Sequence, residues 1–114
     1  MHELSIAESI LDAVERQAAD HPDARFHKIG LRIGELSGID ADALNFSWHA
    51  VTQDTSYQQT ALEIEFCPRR HRCEQCGQQF TVHDYRTDCP RCRDTNTTCI
   101  GGEELDIAYL EVEE

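Results

Sequence analysis

No stretch of the chain approaches the 18 or so consecutive apolar residues that a membrane-spanning helix needs, so no membrane span is expected. The first residues also lack the basic start and continuous apolar run of a secretory leader, since Glu3 and Glu8 fall where those would be. A cytoplasmic location is the expectation. Positive charge is scarce: ten Lys and Arg stand against 22 Asp and Glu, a net charge of −12. A chain this acidic is a poor non-specific binder of phosphate backbones, and no nucleic-acid partner is expected. Internal repeats, low-complexity segments, a phosphate-binding loop and a nucleophile paired with a base are all missing from the sequence. That leaves no case for an enzyme.

At 114 residues the chain is one domain, or a small core with an appendage. Its 39% apolar content is too high for a disordered chain. The acidity is uneven. Residues 67–99 hold six of the ten basic residues against four acids, a local balance of +2, so the remainder carries −14. An acidic body with a mildly basic insert suits protein partners. All six cysteines lie between Cys67 and Cys99. In a reducing cytosol such a cluster points to metal binding and not to disulfides.

Hydrophobic spacing outlines the core. Ala7, Ile10, Leu11, Val14 and Ala18 form one stripe of a helix over about 3–20, which Pro22 ends. Ile29, Leu31 and Ile33 alternate as a strand, and Leu62, Ile64 and Phe66 alternate again. Between them, Leu44, Ser47, Trp48 and Val51 share a helix face over about 40–53, with Asp40 as N-cap. A last strand, "ELDIAYLEVE", slips its apolar phase between Ile107 and Leu110, which suggests a bulge. The expected fold is α/β: two helices on a small three-stranded sheet, with an inserted four-cysteine zinc-ribbon lobe.

The insert carries the strongest signal. "CEQC" and "CPRC" give C-x2-C-x12-C-x2-C, with Cys73, Cys76, Cys89 and Cys92 as candidate ligands. Two residues between cysteines let a tight turn aim both sulfurs at one ion. Two such knuckles complete a closed tetrahedral site suited to Zn²⁺, which holds structure and leaves no position for a reacting water. Gly77 suits the positive φ of the first knuckle; Arg93 stands where the second might have had glycine. Cys67 and Cys99 bracket the ribbon. They read best as small apolar residues at its neck, with ligand exchange or a disulfide as alternatives.

The chain opens "MHELS". By itself this is better explained as the polar first turn of a helix, with Glu3 near the positive dipole end and His2 solvated. An α-amine, a backbone amide and an imidazole on neighbouring atoms nevertheless form a planar nitrogen donor set that suits Ni(II) or Cu(II) more than Zn²⁺. His21, His27, His49, His71 and His83 are scattered and read as structural or surface residues.

Taken together, "MHELS", the helix–strand–helix–strand core, "LRIGELSGI" leading to Asp40, and the C-x2-C-x12-C-x2-C ribbon closely resemble the HypA/HybF family over essentially the whole chain. These are nickel-incorporation proteins for [NiFe]-hydrogenase maturation. The resemblance implies a nickel metallochaperone with Ni(2+) held by His2, helped by backbone nitrogens around Met1 to Glu3, and with Zn(2+) held by the four cysteines. Asp40 is a candidate accessory residue, although its cap role already explains it. The implied domains are 1–66 with 103–114 for nickel and 67–102 for zinc. The implied partners are a HypB-like GTPase and a hydrogenase large subunit, or urease maturation proteins in some organisms; a homodimer is also compatible. The competing class is a zinc-ribbon nucleic-acid or transcription-associated protein. The ribbon's small positive excess and its two aromatics, Phe80 and Tyr85, argue against it.

Overall fold

Apolar residues three and four apart make the first helix, α1 (Glu3–Asp20). The computed structural model, which describes residues 2–113, turns Ile6, Ala7, Ile10 and Val14 inward. The seam is thus set slightly differently from the expected stripe. Ile6 joins its centre, while Leu11 and Ala18 are only half-buried at its margin. At the far end the His21 N–H closes on the Ala18 carbonyl at 3.1 Å, and Pro22 prevents another turn.

Strand β1 (Arg25–Gly34) buries Ile29, Leu31 and Ile33 as its alternation requires. A single 3-10 turn, Glu35–Ser37, then leads to α2 (Ala41–Thr52). Asp40 caps that helix, its Oδ1 accepting the N–H groups of Asp42 at 2.9 Å and Ala43 at 3.1 Å. Leu44, Trp48 and Thr52 share its buried face, and α1 and α2 pack together. Trp48 anchors the next connection, donating from its buried indole N–H to the Thr60 carbonyl at 2.8 Å. The Thr60 hydroxyl in turn donates to the Phe26 carbonyl at 2.6 Å, so each buried polar group finds a partner.

Strand β2 (Ala61–Cys67) half-buries Leu62 and Ile64, but Phe66 does not face inward as expected: it is 61% exposed. Its phase breaks where the chain leaves the core for the cysteine-rich insert. The insert forms β3 (Arg70–Cys73), β4 (Gln79–Thr81) and β5 (Thr97–Gly101), an antiparallel sheet ordered β4-β3-β5. Strand β6 (Leu105–Glu113) then completes the first sheet in the order β2-β1-β6.

Ile29 and Leu31 are buried on one face of that first sheet, and the other face is charged. There Lys28 pairs with Glu63 at 2.9 Å and Glu111 at 3.7 Å, and Arg32 holds Asp106 at 2.9 Å. Asp106 and Glu111, an odd number of residues apart, point to the same side, while Ile107 and Leu110 are both half-buried. The phase of β6 therefore shifts by one residue between them, as its sequence suggested. These exposed pairs set register more than stability.

The chain resolves into two compact units, Met1–Arg32, Gly38–Glu65 and Asp106–Glu114 in one, Ile33–Ser37 and Phe66–Leu105 in the other. Gly34, the last residue of β1, belongs to the second unit. A Cβ there would stand 2.1 Å from the Gly102 carbonyl oxygen, and both are backbone positions that no rotamer change can move. Gly34→Ala should therefore cost at least about 2 kcal/mol, read as a lowered urea midpoint; an unchanged midpoint would show that the backbones part easily.

Candidate metal centres

Two equivalent turns shape the sulfur site. In the first, the Gly77 N–H bonds the Cys73 carbonyl at 2.9 Å and the Cys73 N–H bonds the Gln78 carbonyl at 2.8 Å. The second repeats this four and five residues on from Cys89, with Arg93 N–H to Cys89 carbonyl at 2.8 Å and Cys89 N–H to Asp94 carbonyl at 3.0 Å. Gly77 has φ 79° and Arg93 φ 66°, so Arg93 adopts the left-handed conformation that glycine serves in the first knuckle. Each turn also aims N–H groups at sulfur: Cys76 N–H lies 3.4 Å from Cys73 Sγ, and the Arg91 and Cys92 N–H groups each lie 3.4 Å from Cys89 Sγ.

The four sulfurs of Cys73, Cys76, Cys89 and Cys92 converge within 4.8 Å of one another. Cys73 and Cys92 sulfurs are 3.5 Å apart, and those of Cys76 and Cys89 are 3.6 Å apart. A tetrahedron with Zn–S bonds of about 2.3 Å has sulfurs about 3.8 Å apart, so the cluster fits Zn²⁺ with little adjustment. Cys73 and Cys89 are buried while Cys76 and Cys92 are exposed.

The electrostatics of the thiols explain why a cation belongs there. The N–H of Cys92, aided by that of Arg91, lowers the Cys89 thiol to about 6, against the effect of its burial. For Cys92 the largest single influence, the Asp94 N–H, also lowers it. The sulfurs of Cys73, Cys89 and Cys76, together with burial, outweigh that and push Cys92 up to about 12. One thiolate forms readily, and its neighbours resist the last ionisation until a divalent charge compensates them.

His71, one of the histidines expected to be structural or on the surface, is structural. It is 5% exposed, its ring tilted against that of Phe80 with centroids 6.2 Å apart. Its Nε2 accepts from Arg69 Nε at 3.2 Å, so Nδ1 carries the proton and donates to Thr97 Oγ1 at 3.0 Å. The Thr97 hydroxyl donates in turn to the Thr87 carbonyl at 2.7 Å, two residues before Cys89. Burial, then the Arg69 charge, lowers the His71 pKa and keeps the ring neutral. The signal was present in "RHRC": if Cys73 points inward as a ligand, period two places His71 on the same side. Cys67 and Cys99 are half-buried, and the Cys99 thiol donates to the Gly101 carbonyl at 3.4 Å.

The start of the chain carries the other residues that the sequence singled out. His2 is exposed and is the N-cap of α1, with φ −87° and ψ 137°. Its Nδ1 accepts the Leu4 N–H at 3.3 Å. The Glu3 carboxylate accepts the Asp40 N–H at 3.4 Å, which brings the beginnings of α1 and α2 together. Met1 lies outside the described residues. Among the described residues the four cysteines are the only group of three or more His, Cys, Asp or Glu ligand atoms that converges.

The profile of one family, described as hydrogenase/urease nickel incorporation, metallochaperone, matches residues 1–112. The chain belongs to the HypA family. The hydrogenase maturation factor HypA of Geobacter metallireducens is 39% identical over 113 residues, covering 99% of this chain and 100% of that protein. The HypA of Acidithiobacillus ferrooxidans is likewise 39% identical, with 99% and 100% covered. Among solved structures, a solution structure of HypA superposes with a TM-score of 0.73 at 22% identity, covering 99% of this chain and 97% of that one. The solution structure of the Ni metallochaperone HypA from Helicobacter pylori gives 0.65 at 21%, with 97% of each chain covered. At such identities the structures establish the shared fold. Family membership gives the chain its nickel-incorporation role in hydrogenase maturation, with nickel as cargo and a four-cysteine cluster that fits zinc.

Metal-bound thiolates have lost their protons, so zinc loading should release protons and weaken as pH falls. Cys89 is already ionised near pH 7, while Cys92 must be stripped of its proton. Calorimetry in buffers of different protonation enthalpy should therefore count more than one but fewer than four protons per zinc at pH 7. Zero release would contradict the coupling.

Proposed function

We propose that this protein is a nickel metallochaperone that takes up Ni(II) at its N-terminus through His2 and adjacent backbone nitrogens. It passes the ion, with a HypB-like GTPase, to the large subunit of a [NiFe]-hydrogenase, or to urease maturation proteins where that enzyme is served. It performs no catalysis. Cys73, Cys76, Cys89 and Cys92 hold Zn²⁺, which supplies a compensating charge and a fixed tetrahedral centre, so that 67–102 act as a structural and docking lobe. Residues 1–66 with 103–114 act as the nickel domain, in a protein that works in the cytoplasm. A homodimer is compatible with this reading.

The observation that carries the reading is the placement of His2 at the very start of α1. The first N–H groups of a helix have no partner within it, so the amides of His2 and Glu3 give up no helical hydrogen bond when they bind a metal. The positive end of the helix dipole also favours the negative charge of a deprotonated amide nitrogen. An exposed imidazole attached to such amides supplies the nitrogen-rich planar set that Ni(II) favours. The Met1 amine is a further candidate donor, and Asp40 a candidate accessory residue, since its N–H already meets Glu3.

Core burial begins only at Ile6, so the site can be altered without disturbing packing. His2→Ala should reduce nickel affinity at least about tenfold, leaving zinc content unchanged and α1 helical beyond its first turn. Titration of the chain without an N-terminal tag, followed by planar Ni(II) absorbance, checks this. Undiminished binding by the variant would place the nickel elsewhere.

A further inference from the structure

The imidazole at the start of α1 is already occupied. His2 Nδ1 accepts the Leu4 N–H at 3.3 Å and so caps the helix, while the His2 carbonyl accepts the Ile6 N–H at 3.2 Å. An imidazole nitrogen has one in-plane lone pair, which serves a hydrogen bond or a metal bond but not both. Of the two ring nitrogens, Nδ1 is the one that closes a six-membered chelate ring with the residue's own amide nitrogen. Nε2 lies on the far side of the ring and closes no comparable chelate. The atom that caps α1 is therefore the atom that a chelated Ni(II) requires.

We propose that nickel and the first turn of α1 compete for His2 Nδ1, so that loading uncaps the helix and recapping favours release. This rests on the reading of His2 as the nickel ligand. When nickel binds, the Leu4 N–H turns to water. The Ile6 N–H keeps its carbonyl, so the disturbance stays within one turn and the buried residues from Ile6 onward are undisturbed. Glu3 is the positioning residue: its carboxylate, accepting the Asp40 N–H at 3.4 Å, holds the uncapped turn against the start of α2. The exchange gives the site a bias toward letting go. A ligand set that must displace a cap binds more weakly than the same atoms with no cap to displace, and the cap reforms when the ion leaves.

Leu4 is 39% exposed and lies in the first turn of the helix, where a proline removes the donor N–H without costing an intrahelical hydrogen bond. In the full-length chain without an N-terminal tag, Leu4→Pro should bind Ni(II) about threefold to tenfold more tightly, the ordinary weight of a helix cap. It should also lose the ion more slowly to a competing chelator, with helical signal from α1 retained. The unaltered chain gives an independent readout by NMR, since planar Ni(II) is diamagnetic: one equivalent should shift the Leu4 amide and speed its exchange with water, leaving the Val14 amide as it was. A Leu4 amide unmoved by bound nickel would overturn the competition, as would a well-folded Leu4→Pro chain with unchanged or weaker affinity. His2→Ala separates the two levels. If it abolishes binding while the parent's Leu4 amide is unmoved by nickel, the ligand assignment stands and the competition falls. If it binds as the parent does, the ligand assignment itself falls.

Discussion

Four sulfurs within 4.8 Å of one another impose the strongest constraint in this chain. Thiolates packed so closely repel, which lifts the Cys92 thiol, while backbone N–H groups lower that of Cys89. The surrounding unit has little else to hold it. Its buried apolar residues, apart from Cys73 and Cys89, are Ile33 and Val82, too few to offset the ordering of some forty residues. A divalent ion held by the four thiolates would supply what the missing core does not, and the hydrogen-bond relay from Arg69 through His71 and Thr97 to Thr87 links β3 and β5 to the approach to the second knuckle.

The two metal sites are distinguished by donor chemistry. The ribbon offers soft sulfur in a closed tetrahedron, with backbone N–H groups already directed at Cys73 and Cys89. On the proposed reading the N-terminus offers nitrogen in an open plane at the exposed end of a helix. Closed coordination suits an ion that stays, and an exposed planar site that competes with a helix cap suits an ion that must leave. The acidic charge of the chain does not fit a phosphate-binding role.

Much of this was legible in the sequence because it is periodic or closely spaced. The alternation of Ile29, Leu31 and Ile33, the cap at Asp40 and the two knuckles need only local geometry, and the phase slip before Leu110 was visible in the apolar pattern. Phe66 was misread because alternation says nothing about where a strand leaves its core. The burial and hydrogen bonding of His71 were not legible because Thr97 reaches it only when β3 and β5 pair. The cap formed by His2 Nδ1 was also beyond the sequence. Histidine is an uncommon helix cap, and the choice between a solvated ring and one turned back to Leu4 depends on a side-chain rotation.

X-ray absorption at both metal edges, on one sample of the full chain loaded with zinc and one equivalent of nickel, tests the separation of the two sites most directly. The account predicts four sulfur neighbours about 2.3 Å from zinc and a nickel shell of nitrogen and oxygen with no sulfur. Sulfur in the nickel shell, or zinc displaced from its four thiolates as nickel enters, would contradict it.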